Sequence, residues 1–197
     1  MTSSSRSLTP LLVFILCWGS AVVALSLTGI VAKSPVPPPA FAFLLAGGLL
    51  LAARLWPALG DRLKQLPLRA LVLYHAVRIV AGSYFLVLYG RGVLPANFAL
   101  PAGWGDIAVG VSAVLVAWLA VPARSKGQRR VVFGWNVLGL IDIIAVLTNG
   151  MRYAIQQPEL IGPFTQLPLT LLPLFIVPLV LTSHVLVFRA LRTGSRR

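Results

Sequence analysis

The feature that most constrains this chain is a basic residue inside a long apolar run. In the stretch from Leu71 to Gly82, His75 and Arg78 stand three residues apart among mainly aliphatic side chains. Three residues are close to one helical turn, so both side chains are expected on one face of one helix. A charge at the centre of a bilayer costs about 3 kcal/mol on insertion scales and more than about 10 kcal/mol in simulations of isolated helices. Arg78 therefore needs a charged partner or a wet cavity, and the chain has only four acidic residues to offer.

The composition is that of a membrane protein. Of the 197 residues, 58% are hydrophobic and 11% are charged, whereas a soluble domain carries about 25% charged residues. Six segments approach the roughly 20 apolar residues that cross a bilayer. They are Leu11–Ala32, Ala40–Trp56, Ala70–Tyr89, Gly105–Val121, Val131–Thr148 and Leu167–Phe188. We therefore predict an all-α polytopic integral membrane protein, a bundle of six transmembrane helices that forms a single domain over residues 1–197, with no soluble domain.

The basic residues give this bundle a predicted orientation. If six spans alternate, thirteen of the 17 Lys and Arg residues fall on one side and three on the other. The thirteen are Arg6, Arg54, Arg62, Lys64, Arg69, Arg124, Lys126, Arg129, Arg130, Arg189, Arg192, Arg196 and Arg197. The three are Lys33, Arg91 and Arg152. Because basic loops stay in the cytoplasm, we predict a cell (inner) membrane protein with cytoplasmic N- and C-termini. The net charge of +13 then reflects topology, so the expected partner is the lipid bilayer and no nucleic acid is expected.

Two predicted outer connections, residues 90–104 and 149–166, are long and weakly polar. We expect them to lie on or dip into the membrane interface. On the inner side, Trp56, Trp118 and Trp135 fit an aromatic belt.

Prolines and glycines predict local features within the spans. A proline recurs every five residues near the last span, at Pro163, Pro168, Pro173 and Pro178. Each interior proline removes a backbone hydrogen bond, so the outer half of this span is expected to be bent or broken. Glycines inside other spans predict close approach of neighbouring helices. These are Gly47, Gly48, Gly110 and Gly139.

Six polar residues inside or at the ends of the spans are the candidates for a substrate or proton site. They are His75, Arg78, Asp106, Asn136, Asp142 and His184. Counting about 1.5 Å per residue from the inner helix ends places the two histidines and the asparagine at one level, roughly 8 Å deep. The same count places Arg78 and Asp142 near mid-depth and Asp106 at the outer mouth of its span.

Arg78 is expected to pair with Asp142, because both lie near the same depth and each would be costly alone. Asp106 is the second choice, since the long guanidinium can reach outward to it; Asp106 could instead pair with Arg91. Such a pair could serve only to fix helix packing. Alternatively, it could form a site for a polar substrate or a proton, which is the default hypothesis for ionisable groups inside a membrane.

The histidines permit several interpretations. They could relay protons together with Asp142, because imidazole changes charge near neutral pH. His75 and His184, at matched depth on two helices, could be the axial ligands of haem b, with Arg78 near a propionate. They could also join other polar groups around a metal, although the spacings typical of zinc sites are absent. The plainest interpretation is that each histidine bonds a backbone carbonyl or a polar neighbour; no cofactor is predicted outright.

Three functions remain open from the sequence. The first is a small transporter or permease-like protein for a polar or anionic solute, with proton coupling through Asp142 and the histidines. The second is a membrane redox or haem-binding protein that uses His75 and His184. The third is an accessory or assembly protein whose polar pairs are structural. Whether the protein is an enzyme is left open, since the sequence contains no phosphate loop, dinucleotide fingerprint or nucleophile elbow. Six short spans could be half of a pathway, which allows a homodimer or another membrane-protein partner.

Overall fold

The computed structural model describes residues 9–193 as a bundle of helices with no strand in that range. Arg6, Arg196 and Arg197, which the predicted topology counted among the inner cations, lie outside the described residues. Within this described range, six helical segments are long and apolar enough to cross a membrane. Their bounds are Thr9–Leu27, Pro38–Leu55, Leu68–Gly90, Ala96–Leu119, Lys126–Gln156 and Leu172–Thr193. These segments correspond in order to the six predicted spans.

The helices are α1 (Thr9–Leu27), α2 (Pro38–Leu55), α3 (Pro57–Lys64), α4 (Leu68–Tyr74), α5 (Val77–Gly90), α6 (Ala96–Leu119), α7 (Lys126–Gln156) and α8 (Val177–Thr193). The last span is the most enclosed, with 56% of its apolar window buried against 11% for α1. It packs against α2, α4 and α7, while α5 and α6 pack closely against each other. The bundle is therefore built around α8, and α1 lies at its periphery.

The third span is not one uninterrupted α-helix. It consists of α4 and α5, separated at His75 and Ala76. The amides of His75, Ala76, Arg78 and Ile79 each donate to the carbonyl three residues back, at 2.9–3.1 Å. The backbone is thus tightened to a 3₁₀-like turn between the two polar residues, a local feature that often marks a functional or strained position.

Helix α6 begins nine residues earlier than predicted, at Ala96, so most of the expected connection over residues 90–104 is helical. Pro101 lies inside α6 and has no amide hydrogen to donate to the carbonyl of Asn97. The side chain of Asn149 on α7 donates to that carbonyl instead, at 2.9 Å. Because the freed acceptor is satisfied from the neighbouring helix, the proline does not end α6.

Helix α7 is also longer than its predicted span. It starts with a capping box in which the Ser125 hydroxyl accepts the Gln128 amide and the Gln128 side chain accepts the Ser125 amide, and it ends at Gln156. The second predicted outer connection therefore shortens to residues 157–171, which contain two short 3₁₀ segments.

The proline-rich part of the chain is irregular, as its spacing predicted. The final membrane-length segment begins at Leu172 with one π-helical turn, Leu172–Ile176, before α8 continues to Thr193. Pro163 lies in a 3₁₀ segment, and Pro173 and Pro178 flank the change from π- to α-helix. Isolated π turns are frequent near functional sites, and this one lines the cavity described below.

One end of the bundle is strongly basic. Lys64 at the end of α3, Lys126 and Arg129 at the start of α7, and Arg189 and Arg192 at the end of α8 line one pocket there. We call this the basic end, and the other the opposite end.

Candidate functional site

A buried arginine holds three helices together. Arg78, near the start of α5, is 2% exposed. Its Nε donates to Asp106 Oδ1 on α6 at 2.6 Å, and its Nη1 donates to the carbonyl of Gly139 on α7 at 3.0 Å. Its Nη2 donates to Asp142 Oδ2, one turn further along α7. Each nitrogen of the guanidinium therefore has an acceptor, and we call Arg78, Asp106, Asp142 and the Gly139 carbonyl the arginine cluster.

The two carboxylates that the sequence offered as alternative partners bind Arg78 together. Asp106 does not lie at the mouth of its span, because α6 begins ten residues before it and carries it into the bundle interior, where it is 3% exposed. This corrects its predicted position. Arg91, suggested as its other partner, lies beyond the end of α5 and is exposed.

The arginine cluster has an uneven charge. One guanidinium faces two carboxylates, so the formal charge is −1 when both acids are ionised. The side chain of Asp106 is 5% exposed, whereas that of Asp142 is 24% exposed. Asp142 packs on Gly105, where any side chain would collide with its carboxylate. An unbalanced negative charge in a low-dielectric interior favours a proton or another cation at the same place.

The second polar cluster joins two histidines from different helices. The rings of His75 and His184 have centroids 4.3 Å apart, and both residues are fully buried. Asn136 on α7 holds His184 at two points: it accepts from Nδ1 at 2.8 Å and donates to the backbone carbonyl at 3.1 Å. We call His75, His184, Asn136 and Ser183 the imidazole cluster.

Ser183 fixes the ring of His75. Its hydroxyl donates to the carbonyl of Val180 at 2.7 Å, so the ring Nε2 donates to the hydroxyl oxygen at 2.8 Å. Within residues 9–193, His75 Nδ1 and His184 Nε2 find no hydrogen-bond partner. With these tautomers, each neutral ring keeps one buried nitrogen that can accept a proton.

The geometry does not fit a haem held between the two histidines. Axial imidazoles on opposite faces of a haem need ring centres about 6 Å apart, given metal–nitrogen bonds of about 2 Å. The rings here are 4.3 Å apart and leave no room for a porphyrin between them. Among residues 9–193, no group of three His, Cys, Asp or Glu side chains could hold a metal ion.

The two clusters adjoin at Gly139. Its carbonyl accepts from Arg78 Nη1, and a β-carbon at this glycine would lie 3.0 Å from Cε1 and 3.7 Å from Nε2 of His184. The absence of a side chain thus lets His184 approach the backbone that binds Arg78. This contact connects the arginine cluster to the imidazole cluster.

Two cavities reach these clusters. Arg78 and Asp106 border a cavity of about 50 Å³ whose other walls are apolar, including Phe85, Phe98 and Phe164. The polar floor and apolar walls match the lining of small-molecule sites, but the cavity is much smaller than the roughly 300–1,000 Å³ of such sites and suits only a very small solute.

A second apolar groove, of about 250 Å³, includes Ser183 and Tyr74 in its lining and lies among α1–α4 and α8. Among the described residues, the polar groups of the two clusters therefore lie in succession between the cavity and the groove, with a ring contact and no hydrogen bond between His75 and His184.

Sequence reasoning found the six polar residues and named Gly139 and Trp135 in other roles, but it missed the contributions of Gly105 and Ser183 to the site. Gly105 and Gly139 make room for Asp142 and His184. In the sequence they look the same as glycines at which two helices merely pack, because only the structure shows which side chain lies opposite. Ser183 precedes His184 and could have been noticed as a buried hydroxyl. Trp135, assigned to an aromatic belt, is instead 8% exposed; it donates to Ser112 Oγ at 3.1 Å and its ring lies 5.1 Å from that of His75.

A buried and an exposed asparagine test how much the imidazole cluster contributes to stability. Asn136→Ala should lower the free energy of unfolding by about 2 kcal/mol, because it leaves buried groups of His184 unpaired. Asn97→Ala, which changes an exposed asparagine on α6 and leaves its backbone carbonyl in place, should change it by only about 0.5 kcal/mol. Chemical unfolding in mixed micelles, followed by circular dichroism, measures both. Equal losses of unfolding free energy in the two variants would show that burial of the asparagine does not determine how much stability is lost.

Comparisons with curated proteins and with solved structures gave no match to this chain. A family match covers residues 38–192, which takes in five of the six membrane-length helical segments and every residue of the two clusters, and leaves out α1. Because the match covers more than half of the chain, the chain belongs to the family described as Domain of unknown function (DUF8737).

Proposed function

We propose that the protein is a small proton-coupled membrane transporter for a polar or anionic solute. The observation that carries the proposal is the arginine cluster itself: one buried guanidinium faces two carboxylates beside a cavity. In a bilayer interior the excess negative charge favours protonation of one carboxylate. The cluster then alternates between binding a proton and releasing it.

Coupling to a solute follows from the position of Asp106. This carboxylate lines the cavity together with Arg78, while Asp142 does not. When Asp106 is protonated, Arg78 stays paired with Asp142 but its Nε loses an ionised acceptor. An anionic group in the cavity can then bind the guanidinium, and the apolar walls accept the remainder of a small solute. Proton and anion would therefore bind together.

The imidazole cluster supplies the second half of the path. His184 contacts Gly139, His75 contacts His184, and Ser183 leads to the apolar groove. Each neutral ring offers a passing proton one nitrogen lone pair, that of His75 Nδ1 or His184 Nε2, which has no hydrogen-bond partner among the described residues. We place the basic end, and with it both termini, on the cytoplasmic side of an inner membrane. A second copy of the chain is a compatible partner.

Infrared spectroscopy tests the proton site without a known solute. The chain contains four acidic residues, Asp61, Asp106, Asp142 and Glu159, so a protonated carboxyl band can be assigned by substitution. We expect a band that titrates with pH and disappears in Asp106→Asn or Asp142→Asn. The control Glu159→Gln, which changes an exposed acid, should retain it. If both buried acids stay ionised at every pH at which the protein is folded, the proton site does not exist.

Transport can be tested with methanesulfonate, which stays ionised and does not cross membranes as a neutral acid. Its addition should acidify wild-type proteoliposomes that contain a pH-sensitive dye. Ala81 lines the cavity, so Ala81→Val should lower the rate at least about tenfold, because a misfit of one or two methyl groups in a pocket has that effect. Ser83→Val adds apolar bulk on the exposed face of the same helix and should leave the rate unchanged. Equal rates in the two variants would remove the cavity from the pathway.

A second candidate function is supported by the hydrogen bonds of Arg78 within the bundle. Each guanidinium nitrogen already binds an acceptor, as in a pair that only fixes helix packing. An accessory protein of this kind would fold with the cluster and show neither a titrating carboxyl nor solute-dependent acidification.

A further inference from the structure

The basic end of the bundle contains an open pocket of about 960 Å³ that lies apart from the two clusters. Six basic residues line it: Lys64, Lys126, Arg129, Arg130, Arg189 and Arg192. No acidic residue is among the described residues that line it, although Asp61 lies 3.0 Å from Lys64. Basic loops alone would explain cations at this end. They do not explain why three helices direct them at one concavity, where like charges repel one another unless an anion is present.

The walls of the pocket change from basic to apolar along two helices. On α7, Phe133 lies one turn beyond Arg129, and on α8, Phe188 lies one turn before Arg192. The two rings pack with centroids 5.5 Å apart, and Phe133 is 52% exposed. An apolar shelf therefore continues from the basic pocket toward the middle of the bundle surface.

One contact holds the two walls in place. Arg129 Nη2 donates to the backbone carbonyl of Leu191, which ties the start of α7 to the end of α8. The remaining cations are exposed and face the pocket without such a bond to the backbone among the described contacts. Arg129 thus supports the pocket, and its neighbours are available to a ligand.

We propose that this pocket binds the headgroup of an anionic phospholipid, whose acyl chains lie on the shelf formed by Phe133 and Phe188. Phosphate is an anion that several Lys and Arg side chains can share. Basic pockets between membrane helices recognise such headgroups. A free phosphate or an acidic peptide would use the cations but would leave the phenylalanine shelf exposed, so the lipid accounts for both parts.

The experiment measures equilibrium binding of tail-labelled phosphatidylglycerol to the full chain in detergent micelles, with phosphatidylcholine of the same chains for comparison. Phosphatidylglycerol should bind much more tightly. Arg130→Gln/Arg192→Gln should weaken it about 30-fold, from the attraction that each basic side chain contributes at an anionic lipid surface. The control Arg54→Gln/Arg124→Gln removes two exposed cations outside the pocket and should have little effect.

Further outcomes decide the nature of the ligand. Glycerol 1-phosphate should compete weakly, because it lacks the chains that reach the shelf, and Phe133→Ser should weaken phospholipid binding while leaving glycerol 1-phosphate unaffected. Equal binding of the two phospholipids, an equal loss in the control variant, or full competition by glycerol 1-phosphate would each overturn the proposal. If Arg130→Gln/Arg192→Gln does not fold, Lys126→Gln/Arg189→Gln makes the same test with two of the three remaining exposed cations of the pocket. These measurements do not depend on the proposed transport.

Discussion

Arg78→Leu should lower the free energy of unfolding by about 3–5 kcal/mol, the cost of removing one partner from a buried ion pair. The loss is large because two carboxylates lose their counter-ion together, and Asp106 has almost no access to solvent. The Gly139 carbonyl also loses its side-chain donor. Arg91→Leu, which removes an exposed arginine just beyond the same helix, is the control and should have a small effect. Unfolding in mixed micelles, at one fixed pH, measures both.

Two further variants show whether Arg78→Leu loses stability because of unbalanced charge or because of lost packing. Arg78→Leu/Asp106→Asn/Asp142→Asn has no buried charge left and should recover most of the lost stability, since replacing a whole buried network costs far less than breaking it. The double variant Arg78→Leu/Asp142→Leu should recover less, because Asp106 remains without a counter-ion. If the triple variant is no more stable than Arg78→Leu, the cost arises from the shape of the side chain and not from its charge.

Hydropathy and charge were enough to predict an all-helical chain with six membrane-length segments, but not where those segments end. Pro101 and its neighbouring glycines made the first part of α6 resemble a loop. The side chain of Asn149, 52 residues away, bonds the carbonyl that Pro101 frees, and the helix continues. A proline's effect depends on whether another helix can satisfy that carbonyl, and the local sequence does not contain this information.

Counting along the spans grouped some polar residues correctly but misplaced Asp106, and it could not give the direction of a side chain around its helix. Counting along the spans placed His75, Asn136 and His184 at one level, and the structure brings them together. The same count treated Asp106 and Asp142 as alternatives for Arg78, whereas α6 and α7 present both to it. Whether these groups carry a proton or a solute stays a prediction.

Glycines illustrate the same limit. Gly110 and Gly139 lie where a side chain would meet a neighbouring helix, as predicted, but nothing lies within 4 Å of a β-carbon at Gly47 or Gly48. The expectation of close packing at Gly47 and Gly48 is therefore wrong. A glycine in an apolar run indicates that helices could approach closely, and only the position of the next helix decides whether they do.

Gly82→Ala should destabilise the protein by about 3 kcal/mol, at the upper end of the range for overpacking a core. A β-carbon at Gly82 would lie 2.9 Å from Cβ of Asp106 and 3.0 Å from Cγ1 of Ile107, and closer still to the carbonyl oxygen of Gly103. That oxygen belongs to the backbone of α6 and cannot rotate away, so α5 and α6 must separate. The shift moves Asp106 relative to Arg78, and the titrating carboxyl band should change with it.

Gly134→Ala on α7 is the matched control for this prediction. Nothing lies within 4 Å of its β-carbon, and alanine in a helix interior is favoured over glycine by about 0.5–1 kcal/mol. The two substitutions, which add the same methyl group, should therefore change the free energy of unfolding in opposite directions in the same mixed-micelle measurement. A neutral Gly82→Ala would mean that α5 and α6 are not held at this distance, and the contact between Arg78 and Asp106 would then lack the rigid support on which the proposed proton site depends.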